Sequence, residues 1–141
     1  MLAARWILIG ITAAALIINA VIHLQLADPF DAISGTLISQ GWLFRIQAFV
    51  GIVTAVLLVV VRRVWVAAAG TVVAAGGLAL ILITVAVPLD LTALGLPLLF
   101  EPLWYPQKTI AAIVQVVAVA TGAILIGMLR RRGARSAPRK M

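Results

Sequence analysis

Residues 42–87 read WLFRIQAFVGIVTAVLLVVVRRVWVAAAGTVVAAGGLALILITVAV, two apolar runs of about 20 residues or more separated only by Arg62 and Arg63. A bilayer core about 30 Å thick is crossed by roughly 20 helical residues, because inside it the backbone finds hydrogen-bond partners only within its own helix. The stretch therefore predicts two spans joined by a two-residue basic turn, a tight antiparallel hairpin. Outward from this pair, the same length and hydropathy recur over residues 6–26 and 109–129. The four spans, about 6–26, 42–61, 64–87 and 109–129, predict an all-α fold: an integral membrane four-helix bundle over residues 1–129, followed by a tail over 130–141.

Composition points the same way. Of 141 residues, 65% are apolar and 11% charged, and the mean hydropathy is +1.22, which excludes a soluble globule. The absence of cysteine excludes disulfides, thiol catalysis and Cys-bound metal within the chain. Orientation follows from the bias of Lys and Arg toward cytoplasmic loops. Arg5, Arg62, Arg63, Arg130, Arg131, Arg132, Arg135, Arg139 and Lys140 fall on one side without an acid, and Asp28, Asp31, Asp90 and Glu101 fall on the other with Arg45 and Lys108. The basic side is expected to face the cytoplasm, with both termini on it. Trp6 and Trp65 then sit at the inner boundary and Trp42 and Trp104 at the outer one, where amphipathic indoles settle. A cleaved signal sequence is the alternative for the first span, given Arg5 ahead of an apolar run and Ala27 after it. Gln25 stands where a second small residue belongs, and the run is span-length.

In the first outer loop, Asp28-Pro29-Phe30-Asp31 predicts a short helix ending near Ser34-Gly35, with Asp28 as cap and Pro29 at the first position. The second outer loop, 88–107, holds four of the six prolines among Leu96, Leu98, Leu99 and Phe100. A loop this apolar is expected to rest in the headgroup zone on Trp104 and Tyr105, with a cap over a cavity as the alternative. The tail from Arg130 carries six positive charges among Gly, Ser, Ala and Pro, a composition that predicts disorder. It places Arg130, Arg131 and Arg132 as lipid-headgroup contacts. The tail lacks aromatic residues for stacking on bases, so nucleic acid is not an expected partner.

Small residues supply close packing where the hydrophobic effect between spans is weak: Gly10 and Ala14, Gly51 and Ala55, Gly70 and Ala74, Gly77 and Thr84, and Ala118 and Gly122. Polar residues inside spans are costly, and they mark where function is to be sought. Asn19 and His23 share a face of the first helix, Arg45 and Gln47 open the second, and Lys108 and Gln115 lie seven apart on the fourth. At about 1.5 Å of rise per residue, His23 and Arg45 lie some 5 Å below the outer boundary and Asn19 and Gln115 about 10 Å. The candidate ligand-binding cluster is Asn19, His23, Arg45, Gln47 and Gln115 in the outer half of the bundle, with Glu101 as counter-ion to Arg45 or Lys108. Each of these residues has a plainer reading as an interhelical hydrogen bond or a side chain reaching to the headgroups.

No catalytic set, metal site or cofactor is expected. A single histidine does not make a bis-His haem or a zinc site, the acids lie outside the spans, and no Ser-His-acid spacing occurs. Two roles remain: an accessory or structural subunit of a larger membrane complex, with a protein partner or a homodimer, or a carrier binding a lipid, a quinone or another small molecule in the outer polar pocket. His23-Leu24-Gln25-Leu26 closing the first helix, Gly41-Trp42-Leu43-Phe44 opening the second, and the full-length order of four spans with long outer loops resemble the small four-helix membrane proteins of the DoxX-like bacterial families. The Ala, Val, Leu and Arg usage resembles that of actinobacterial membrane proteins. The resemblance implies a bacterial inner membrane and a four-helix bundle, and it transfers no catalytic residue.

Overall fold

The structure, a computed structural model, describes residues 2–136, with side chains through Arg131. Four helices make up the bundle: α1 (Leu2–Ala27), α2 (Gln40–Val61), α3 (Val64–Ala86) and α4 (Pro106–Ser136). All four are long and apolar enough to cross a membrane, α4 over Pro106–Arg131. α4 continues as helix past residue 129, through the first part of the segment read as a disordered tail. Residues 137–141, with Arg139 and Lys140, lie outside the described residues, as does the side chain of Arg132.

The hairpin between α2 and α3 is as tight as its two residues require. Arg62 ends α2 in the left-handed region (φ 54°) and Arg63 precedes α3 in extended conformation, which reverses the chain within one peptide pair. The Arg62 guanidinium lies 5.0 Å from the centre of the Trp6 ring, tying the hairpin to the start of α1. This is the basic end of the bundle, and the two long loops close the acidic end.

The helices are arranged in a ring in which α1 packs on α2 and α4, and α3 packs on α4 and more loosely on α2. Among the described residues, ten of the seventeen buried apolar ones are alanines, so the helices meet by close backbone approach rather than by interlocking large side chains. Ala13, Leu16, Ala55, Ala74 and Ala118 fill the middle of the bundle, and Ile9, Leu58, Val66 and Leu125 fill the basic end. Gly51, Gly70 and Gly122 stand against neighbouring helices as their spacing predicts. Gly10 and Ala14 do not: both face outward, and α1 turns Thr12, Ala15, Leu16, Asn19 and Ala20 to its neighbours instead. Large apolar residues such as Ile7, Phe49, Val72 and Ile113 cover the outside, the pattern of helices long and apolar enough to cross a membrane.

The loops at the acidic end are folded. A 3-10 turn spans Pro29–Ala32, shorter than the predicted helix, and Asp28 makes no side-chain cap to it. In the second loop, β1 (Leu89–Asp90) pairs antiparallel with β2 (Leu98–Leu99) across a 3-10 turn at Thr92–Leu94. The two loops are joined where the Leu37 N–H donates to the Gly95 carbonyl at 2.9 Å. Leu99 and Pro97 are buried, so this loop folds over the bundle mouth as a cap. Leu94, Leu98, Phe100, Leu103 and Trp104 of the same loop stay exposed.

Candidate functional site

Ser39 sets the register of the site. Its Oγ accepts a hydrogen bond from the Trp42 N–H at 3.1 Å, capping α2 so that the helix begins at Gln40, two residues before the predicted start. Gln40, Leu43, Phe44 and Gln47 then follow at helical spacing along one face of α2. All four line a cavity of about 260 Å³ at the acidic end, walled by residues of all four helices and roofed by the second loop.

The loop delivers Glu101 into this cavity. The Glu101 N–H donates to the Thr84 carbonyl at 2.9 Å, fixing the residue to the end of α3. Its carboxylate accepts from the Tyr105 hydroxyl at 3.1 Å and from the Gln40 amide. Lys108 Nζ lies 3.7 Å from Glu101 Oε2, donates to the Glu101 carbonyl, and sits within 6 Å of the Trp104 and Tyr105 rings. The Lys108 side chain is only 4% exposed, so its charge is matched inside the protein. Burial, then the charge of Glu101 and the bond to it, push the Tyr105 hydroxyl above its ordinary pKa, which keeps it a donor.

His23 lines the opposite wall. Its Nδ1 is 2.8 Å from the Asn19 carbonyl, and because a carbonyl only accepts, the proton is on Nδ1. Its Nε2 has no hydrogen-bond partner among the described residues, and its ring meets Phe44 edge-on at 5.2 Å. Deeper in the bundle, Gln115 Nε2 donates to Asn19 Oδ1 at 2.9 Å, linking α4 to α1. Gln47 Nε2, Gln40 Oε1 and Gln115 Oε1 are buried without a partner among the described residues. A Cβ added to Gly77 would lie 2.5 Å from Gln115 Oε1 and 3.1 Å from Gln47 Nε2, so both amides converge over bare backbone of α3.

Of the five residues expected to form the cluster, His23 and Gln47 reach the cavity, while Asn19 and Gln115 form the layer beneath it. Arg45 departs from the expectation. Its guanidinium grips Asp31 with two bonds of 2.8 and 3.0 Å and Asp28 with one of 2.6 Å, over the Trp42 ring. The first loop supplies these two acids closer to Arg45 than the second loop supplies Glu101, so Glu101 is the counter-ion of Lys108 alone. Gln40 and Tyr105 are members of the site that sequence reading missed. Ser39 three residues before Trp42 was the available signal for Gln40, since a cap there extends α2 and sets Gln40 two turns from Gln47. Arg130 and Arg131 stand exposed near the basic end of α4.

No family model, characterised protein or solved structure matches the chain.

Proposed function

We propose that the chain is a multi-pass protein of the bacterial inner membrane, with both termini cytoplasmic, that binds the head group of a membrane-dissolved amphiphile in the cavity at its acidic, outer end. The observation that carries this reading is the pair of uncommitted amide atoms, Gln40 Oε1 and Gln47 Nε2, on residues lining one preformed cavity. A buried polar atom without a partner costs about 1–3 kcal/mol, a cost that a ligand reaching these two residues from the cavity would remove. This favours a carrier or binding protein over an accessory subunit. The cavity also reaches the outer faces of α2 and α3, since Ile46 and Leu80 line it and are both about half exposed. A ligand thus enters sideways from the bilayer, between the two neighbouring helices that pack most loosely. Arg130 and Arg131 at the opposite end are positioned for anionic lipid on the cytoplasmic side.

Native mass spectrometry of the protein gently extracted from its own membrane tests the proposal. One retained amphiphile per chain is expected, lost on Gln47→Leu. A bare chain, or a stoichiometric protein partner with no small molecule, would sink it.

A further inference from the structure

Resting on that reading of the cavity, we infer that the head group it takes is uncharged and bears both a carbonyl-type acceptor and a hydroxyl-type donor, as a quinone–quinol pair or an ester-bearing lipid alcohol does, and is not a phosphate. Charge decides the first half. The ionic groups lining the cavity are Lys108 and Glu101, opposite in sign and 3.7 Å apart. The ammonium is further held by a backbone carbonyl and two aromatic faces, and the carboxylate by Gln40 and Tyr105. Arg45, the other cation at this end, is occupied by Asp28 and Asp31 outside the cavity. An anion entering here would lose its hydration and meet Glu101 with no unmatched cation to repay it.

Hydrogen bonding decides the second half. The capacity left over on the glutamines is neutral: Gln47 Nε2 donates and Gln40 Oε1 accepts, and His23, whose Nδ1 is held by the Asn19 carbonyl, turns only its Nε2 edge to a ligand. Gln40 and Gln47 are two turns apart on α2, about 10 Å, and Phe44 lies between them on the same face. A head group laid along this face presents a carbonyl to Gln47 and a hydroxyl to Gln40, with the Phe44 ring against its flat side. The volume of about 260 Å³ equals the share of roughly nine waters. That admits one small ring or glycerol-sized group, with the tail left between α2 and α3 in lipid.

The test uses the full chain in nonionic micelles and reads quenching of tryptophan emission, since the Trp104 ring lies 5.6 Å from the Nζ of Lys108, which lines the cavity. Decylubiquinone is expected to quench saturably. Uncharged dioctanoylglycerol should displace it and dioctanoyl phosphatidylglycerol should not, and Gln47→Met should weaken binding about tenfold or more. Leu80→Trp, which fills the opening from its lipid side, should abolish binding and serves if Gln47→Met does not fold. Displacement by phosphatidylglycerol as potent as that by dioctanoylglycerol would overturn the uncharged head group while leaving the cavity a ligand site. Quenching that never saturates, or that both variants leave unchanged, would overturn the cavity itself as a site.

Discussion

Two neighbouring glycines show how much of the site rests on single atoms. Gly76 has open space where a Cβ would go, whereas at Gly77 the same atom would meet the Gln115 and Gln47 amides. Those are ends of flexible side chains, but Gln115 is pinned by its bond to Asn19 and is 1% exposed, so it yields only by breaking that bond. Gly77→Ala is expected to cost about 1–3 kcal/mol, the usual range for overpacking, and Gly76→Ala close to nothing. Thermal unfolding of the two variants in micelles checks this, and equal midpoints would show the glutamines to be free to move. Asp31 offers a pH test. Its hydrogen bonds to Arg45 and then to Ser39 bring its carboxyl from an ordinary 3.8 to about 2. A depressed folded pKa means that the pairing stabilises the loop above pH 4 and is lost as the pH falls toward 2. Unfolding midpoints should therefore drop between pH 4 and 2, and Asp31→Asn should lower the midpoint at pH 7 while flattening that drop. An unchanged slope in the variant would assign the acid sensitivity to another carboxylate. At this scale sequence carried depth but not direction: the rise per residue put Arg45 and His23 in one layer, and nothing local told that Arg45 turns to the loop acids 14 and 17 residues upstream while His23 turns inward.

Between elements, α1 and α4 are held by two polar crosslinks. Thr12 and Thr121 hydroxyls lie 2.7 Å apart in the middle of the bundle, and the Asn19 and Gln115 amides bond nearer the acidic end. An interhelical bond of this kind is worth roughly 0.6–2 kcal/mol in a membrane, yet removing one partner also strands the other. Asn19→Leu and Gln115→Leu should each destabilise by about 1–3 kcal/mol, and the double variant by less than their sum, because no orphan amide is left. A double-mutant cycle of unfolding free energies measures the coupling, and strict additivity would mean that the two amides do not bond. The spans and the basic hairpin were legible because length, hydropathy and two arginines suffice to define them. The second loop was less so: prolines and leucines suit an interfacial resting place as well as a cap, and the Glu101 bond to Thr84 with the burial of Leu99 brings the loop over the cavity while Leu98, Phe100, Leu103 and Trp104 stay exposed. The candidate cluster was legible as a set of helical positions with Glu101 as the loop's counter-ion to Lys108, and Gln40 and Tyr105, which complete it, were not.

Across the whole molecule, polarity is graded along the bundle axis: a packed alanine-rich middle, an arginine-rich end, and a hollow end whose acids are all engaged by cations or by the loop's own hydroxyls and amides. The same gradient bears on orientation. By the bias of Lys and Arg toward the cytoplasm, the arginines at the hairpin turn are expected to stay inside, while Arg45 and Lys108 at the opposite end are paired with acids and so present little net charge to carry across. On that orientation the cavity would open in the outer half of the bilayer. The absence of cysteine allows a direct test, since a single cysteine introduced at an exposed position is the only thiol in the chain. Leu94→Cys, on the exposed turn of the second loop, should react in intact bacterial spheroplasts with a membrane-impermeant maleimide. Arg63→Cys, at the hairpin, should react only after permeabilisation. The reverse pattern would place the cavity in the cytoplasmic leaflet and the arginines outside, against the charge bias. Labelling of both sites in intact spheroplasts would mean that α2 and α3 do not cross the bilayer as the hairpin of spans that residues 42–87 describe.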